Sequence, residues 1–225
     1  VTSLVRATLA VAKKDLAIEL RTREITVSTA FFAVLIAALT SLSFYVDEAL
    51  SRNVAPGVLY VAVAFSAVLA ISRSWGRERE QDAMRALLVA PIPRVAIYLG
   101  KALSTSAFLA LVEVLLVPLV ALLYRVDFSE VLGDLVLVLG GATLGIVLAG
   151  TLFGAMTVRT SARDLMLSVV LFPLITPVLL AAVVATRELL GGNEAEVVAW
   201  LKMLLAYDLV VGMAATLMFD ALVSE

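Results

Sequence analysis

The 225-residue sequence contains no cysteine and no histidine. Disulfides, thiolate nucleophiles and nearly all zinc, copper and iron–sulfur sites are thereby excluded. So is every general base, triad or proton shuttle built on imidazole. Haem iron is usually held by His, Cys, Met or Tyr. Six Met and five Tyr remain, and in so apolar a chain they read first as packing residues. Charge is also scarce: charged residues make up 16%, and the formal net charge of −2 gives no field for a polyanion such as nucleic acid. A phosphate-binding loop is missing. Its nearest approach is Gly100-Lys101, where Val95 stands in the place of the first glycine and Ala102 follows the lysine. If ATP drives this protein, another chain hydrolyses it.

Apolar surface is abundant. Hydrophobic residues reach 62%, against roughly 45–50% in soluble proteins, and the mean hydropathy is +1.06. A chain of this length cannot bury so much apolar surface within itself, so lipid must be its solvent. Soluble enzymes, nucleic-acid binders and disordered chains are excluded. The expected fold class is an all-α integral membrane protein, one domain over residues 1–225, with no internal repeat.

Six apolar stretches stand out: Ile25–Val46, Pro56–Ile71, Ala102–Tyr124, Val131–Met156, Leu165–Thr186 and Ala199–Asp220. A bilayer core needs about 20 helical residues. The second stretch is short and is expected to continue through Ser72, Arg73 and Ser74, with Arg73 reaching to the headgroups. Charges run from Arg6 to Glu24 with no short apolar core and cleavage site, so the first span is expected to remain in the mature chain. Lys and Arg number 13 in the N-terminal segment and in the connectors after spans two and four, and 4 on the other side. That asymmetry predicts cytoplasmic N- and C-termini.

Three features are candidates for function. In residues 1–24, Val5, Leu9, Ala12, Leu16 and Leu20 line one helical face, with Lys13, Lys14, Arg21 and Arg23 largely off it. The pattern predicts an amphipathic helix lying in the membrane interface, either as a plain anchor or as an elbow carrying force into the spans. The segment 75–101 is the largest connector. It opens with Arg77, Glu78, Arg79 and Glu80, continues with an apolar stripe of Ala83, Met84, Leu87 and Leu88, and is ended by Pro91 and Pro93. Such a helix can lie on lipid or insert into a groove on another protein; a solvated charged loop is the plain alternative. The third feature is acid inside the membrane. Glu113 and Asp208 lie near the middle of spans three and six, where a lone carboxylate costs at least ~2.5 kcal/mol. They are expected to be protonated, hydrogen-bonded to each other or to Ser/Thr, or turned to a wet cavity. In span four, Gly141 and Gly145, and likewise Gly150 and Gly154, recur every four residues and predict close helix contact. Pro118, Pro173 and Pro177 predict kinks.

The run Arg77-Glu78-Arg79-Glu80-Gln81-Asp82-Ala83-Met84-Arg85-Ala86-Leu87-Leu88-Val89-Ala90-Pro91 resembles the first cytoplasmic loop of ABC-2-type exporter permeases. Together with the string Lys13 to Glu24, Pro56-Gly57-Val58-Leu59-Tyr60, Val158-Arg159-Thr160 and Phe172-Pro173-Leu174, it is similar over the whole chain to the haem exporter protein B (CcmB) family of cytochrome c maturation. The resemblance implies a six-span bundle with an N-terminal interfacial helix and a cytoplasmic coupling helix at Arg77–Ala90. In that helix Met84, Leu87, Leu88 and Pro91 would meet an ATPase subunit, and Arg77, Glu78, Arg79 and Glu80 would fix the register. Arg159, Arg163 and Asp164 would lie in a second cytoplasmic loop. It implies a non-catalytic permease of the bacterial inner membrane, in two copies, working with an ABC ATPase and with C and D membrane subunits. ATP would sit on the partner, and haem would be handled by the complex and not bound as a cofactor of this chain. The alternatives are an ABC-2 permease for a lipid, polysaccharide or drug, a non-transporting scaffold, and a proton-driven carrier using Glu113 and Asp208.

Overall fold

The computed structural model describes the backbone of residues 3–43, 48–80, 87, 89–157 and 163–224, and the side chains of these except 48–49, 79–80, 157, 163–168 and 220–224. Seven long helices carry the described chain: α1 (Leu4–Thr22), α2 (Glu24–Ser43), α3 (Glu48–Glu80), α4 (Arg94–Tyr124), α5 (Leu132–Thr157), α6 (Arg163–Gly191) and α7 (Glu194–Ser224). All but α1 are long and apolar enough to cross a bilayer, and they contain the six expected spans as far as the described residues reach, except that Val131 lies in the turn before α5. Phe31, Leu122 and Leu217 point out of the bundle, the orientation expected where lipid is the solvent.

α3 and α5 form the middle of the bundle, and α5 packs on α3, α4, α6 and α7. Glycine makes this possible. A Cβ on Gly145 would stand 2.6 Å from Asp208 Oδ1, one on Gly150 would run into Ile71 and one on Gly154 into Trp75. Gly141 faces Leu204 at ordinary contact distance. The two glycine pairs therefore serve different neighbours, Gly141 and Gly145 facing α7, Gly150 and Gly154 facing α3. Tyrosine hydroxyls link spans where no water competes: Tyr60 with Thr186 at 2.9 Å, Tyr98 to the Leu148 carbonyl at 2.9 Å, Tyr207 to the Leu174 carbonyl at 2.9 Å and Tyr124 to Thr40 at 3.0 Å.

The helices extend beyond the apolar runs. α3 does not stop after Ser74; it continues unbroken through Arg77 to Glu80, because Trp75 is buried and Arg77 and Glu78 find partners on other elements. The expected start of a separate helix at Arg77 is thus the last turn of span two. α4 begins at Arg94, directly after Pro93. Pro56, expected at the opening of span two, lies inside α3, and Pro118, Pro173 and Pro177 lie inside continuous helices.

Candidate functional site

α1 presents two faces. Val5 and Leu20, 67% and 77% exposed, turn outward with Leu9. A second row, Ala7, Val11, Asp15 and Glu19, is buried. Its members are four residues apart and so lie one above another on the helix. This row docks on α4. The approach is close: a Cβ on Gly100 would lie 2.6 Å from Val11 Cβ and 2.9 Å from the Thr8 carbonyl oxygen. The Gly100-Lys101 pair thus serves helix contact, with the glycine admitting α1 and the lysine reaching its acid.

Lys101, only 2% exposed, places Nζ 3.0 Å from Asp15 Oδ2 and 2.6 Å from Glu78 Oε1. Lys14 Nζ is 2.6 Å from the same Glu78 oxygen and 3.1 Å from Asp15 Oδ1. Ser104 donates to Asp15 at 3.3 Å, and Lys101 also lies 5.6 Å from the Trp75 ring centre. A second pair, Arg77 Nη2 to Glu19 Oε2 at 2.9 Å, stands beside this cluster. Glu19 Oε1 accepts the Thr26 backbone N–H at 2.7 Å, satisfying one of the donors left open at the start of α2. Lys14, Lys101 and Arg77 therefore balance Asp15, Glu78 and Glu19. Desolvation pulls the Lys14 ammonium down, but the hydrogen bond to Glu78 and the charges of Asp15 and Glu78 outweigh it and hold the group above the ordinary lysine value. The cluster joins α1, the end of α3 and the start of α4 around a small cavity of about 90 Å³.

Two residues proposed for an ATPase contact, Arg77 and Glu78, thus have intramolecular partners, and Glu78 is 4% exposed. Leu87 is half-buried and packs on the core, whereas Val89 is 86% exposed, as is Pro91 to a lesser degree. Arg79 and Glu80 lie in the last turn of α3, and Arg163 and Asp164 open α6; their side chains are not among those described. Met84, Leu88 and Arg159 lie outside the described residues.

In the spans, the Thr143 hydroxyl donates to Glu113 Oε1. Asp208 packs on Gly145 with Oδ1 buried and without a hydrogen bond. Positions 143 and 145 lie about 200° apart around a helix, so the two carboxyl groups meet α5 on roughly opposite flanks. Each is an interhelical contact of its own, not one half of a shared-proton pair. Among the described residues no three carboxylates converge on a point where a metal could sit. Four of the five tyrosines, Tyr60, Tyr98, Tyr124 and Tyr207, already use their hydroxyls within the protein.

Sequence reasoning did not find Asp15, Glu19, Gly100 or Lys101 as site residues. A signal existed: Asp15 and Glu19 fall in register with Ala7 and Val11, a row too polar for lipid on a helix that otherwise suits it.

The fold and this site define a multi-pass helical membrane protein with an amphipathic helix ion-paired to one end of its six-span bundle. Its family follows from comparison: the model described as CcmB protein matches residues 6–224, and the chain belongs to that family. It is 29% identical over 162 residues to Heme exporter protein B of Pseudomonas aeruginosa, covering 72% of each chain. It is 28% identical over 174 residues to the protein of that name from Haemophilus influenzae, covering 77% of this chain and 78% of that one. With the Rhodobacter capsulatus protein it shares 30% identity over 151 residues, 67% of this chain and 68% of the relative.

Proposed function

We propose that this chain is the permease subunit of an ATP-driven complex in haem export and c-type cytochrome maturation. The observation that carries the reading is the family match across residues 6–224, supported by relatives named Heme exporter protein B. In this reading the chain lies in the bacterial inner membrane with both termini in the cytoplasm. Two copies pair with a cytoplasmic ABC ATPase and work beside the C and D membrane subunits.

Its role is mechanical. With no His and no Cys the chain lacks two of the usual ligands of haem iron, and four of its five tyrosines already use their hydroxyls within the protein; in this reading haem is held by a partner, and ATP-driven motion passes through this subunit to it. Arg77–Ala90 receives that motion. Because Arg77 and Glu78 are tied to α1 and α4, a push on this segment reaches three helices together. The test is co-purification with the ATPase after Leu87→Glu and Leu88→Glu, with Val89→Glu alongside as the most exposed apolar position. The expected result is loss of the ATPase from the complex and of c-type cytochrome formation in cells. ATPase binding undiminished in all three variants would remove this segment from the interface. Cytochrome formation undiminished by a hydrolysis-dead ATPase would end the mechanical reading.

A further inference from the structure

Both acids of α1, Asp15 and Glu19, are spent on the bundle, and Lys14 is drawn in with them. What remains outside is cationic. Arg6, Lys13 and Arg21, with Arg23 at the joint, are exposed, and among the described residues none of them meets a carboxylate. Arg6, Lys13 and Arg21 follow one another at about two helical turns, so they form a row with neighbours about 10 to 12 Å apart. At about 100° per residue the row lies roughly opposite the buried Ala7, Val11 and Asp15. The exposed Val5, Leu9 and Leu20 run along one flank between the two rows. The helix is thus sorted into three strips: one docked, one apolar and one cationic.

The attachments of α1 decide what lies against the outer strips. It docks on α4 at Gly100, Lys101 and Ser104, where the apolar run of that span begins. A single residue joins it to α2, another helix able to cross the bilayer. Both attachments hold α1 at the level of the membrane surface. We propose that the outer flank of α1 binds anionic phospholipid, with Val5, Leu9 and Leu20 in the acyl boundary and Arg6, Lys13 and Arg21 on the headgroups. A zwitterionic headgroup brings an ammonium along with its phosphate, and a strip without a carboxylate has nothing to offer that ammonium. A second copy of this chain is a poor match at this end of the bundle. Among the described residues Asp15, Glu19 and Glu78 are buried there, and Glu24 is paired with Arg73 at 2.6 Å. An acidic protein groove could meet the cations, but it would have to enter between α1 and the bilayer to cover the apolar strip. The inference goes beyond the proposed ATP-driven role and does not rest on it.

Ala17 is exposed on the cationic strip, between Lys13 and Arg21. Because the chain has no native cysteine, Ala17→Cys supplies a unique thiol for a benzophenone maleimide. The labelled full-length chain, alone and within the complete assembly, is irradiated in bilayers of phosphatidylcholine with a minor share of phosphatidylglycerol. Adducts are identified by mass spectrometry. The expected product is a lipid adduct in which phosphatidylglycerol exceeds its share of the bilayer about five-fold or more, since each cation near an anionic surface is worth about that factor. Lys13→Gln, at the middle of the row, should lower the excess, and Lys13→Arg should keep it. Arg6→Gln, Lys13→Gln and Arg21→Gln together should bring the adducts to the bulk composition without lowering the melting temperature, since all three lie off the packed face. Leu217→Cys, on the outward face of α7, should report the bulk composition throughout. Phosphatidylglycerol captured only in proportion to its share, an excess indifferent to the triple substitution, or adducts chiefly with the ATPase or a second copy would each overturn the inference. An excess that persists without the ATPase keeps it even if the proposed ATP-driven role fails.

Discussion

At the end of the bundle bound by α1, Asp15, Glu19 and Glu78 face two lysines and an arginine; within the spans, Glu113 and Asp208 face a hydroxyl and a glycine. The first arrangement compensates charge with charge and fixes three helices at once. The second gives each carboxyl group one local contact and no cation. Both regions leave one buried carboxyl oxygen without a hydrogen bond, Glu78 Oε2 and Asp208 Oδ1, but only at the paired end do cations stand beside the same acid. The difference also predicts how each region responds to substitution.

The largest expected effect is at the paired end. Lys101→Met removes the cation shared by Asp15 and Glu78 and leaves both acids with Lys14 alone. Breaking a buried pair this way costs about 3–5 kcal/mol, so the variant should accumulate poorly and the purified protein should melt many degrees lower. An unchanged melting temperature would show that water reaches the cluster freely. Next comes the span acid. Glu113→Lys places a cation at a depth where insertion costs about 2.5–3.5 kcal/mol, whereas Glu113→Gln keeps an acceptor for Thr143. Membrane insertion and melting should separate the two clearly, and equal behaviour would mean that Glu113 faces lipid or water.

Smaller effects sharpen the contrast. Gly100→Ala forces Val11 and the Thr8 carbonyl away from α4, an overpacking cost of about 1–3 kcal/mol. Gly140→Ala should be silent by the same measurement, because nothing stands near it. Proteolysis of the N-terminal segment would report whether α1 has lifted away in the first variant. The smallest effect concerns pH. The Lys14 value is raised in the folded protein, so its contribution is fully present below the ordinary 10.5 and declines only as pH rises above that. Thermal stability should therefore show no Lys14-dependent change near neutrality. It should show a decline in strong alkali that Lys14→Met removes.

The six spans were legible because the length and apolarity of a helix in lipid are set by the bilayer and hardly by neighbours. The spacing of Gly141, Gly145, Gly150 and Gly154 was legible for the same reason: backbone approach needs small residues wherever the partner stands. The outward turn of Val5, Leu9 and Leu20 was legible as the apolar face of an interfacial helix; what the sequence concealed was the inward side, toward which Ala12 and Leu16 of the same expected stripe also turn. The row that turns inward is the one holding Asp15 and Glu19. In the same way, the alternating Arg77 and Glu78 could be read as a solvated helix start. Their partners, Lys14, Glu19 and Lys101, are 23 to 64 residues away in sequence, and no local pattern announces a pairing that distant. Lys101 was hidden by position, since a lysine at the mouth of an apolar run ordinarily reaches for headgroups.

The joint between α1 and α2 is a single residue, Arg23, in the left-handed conformation (φ 54°). Glu19 clasps both sides of that joint, through Thr26 ahead of it and through Arg77 across it. One linking residue leaves no slack chain to soak up movement. If the surface helix tips, the first span must swing with it, and a carboxylate on the last turn of α1 is the pivot on which the two arms turn.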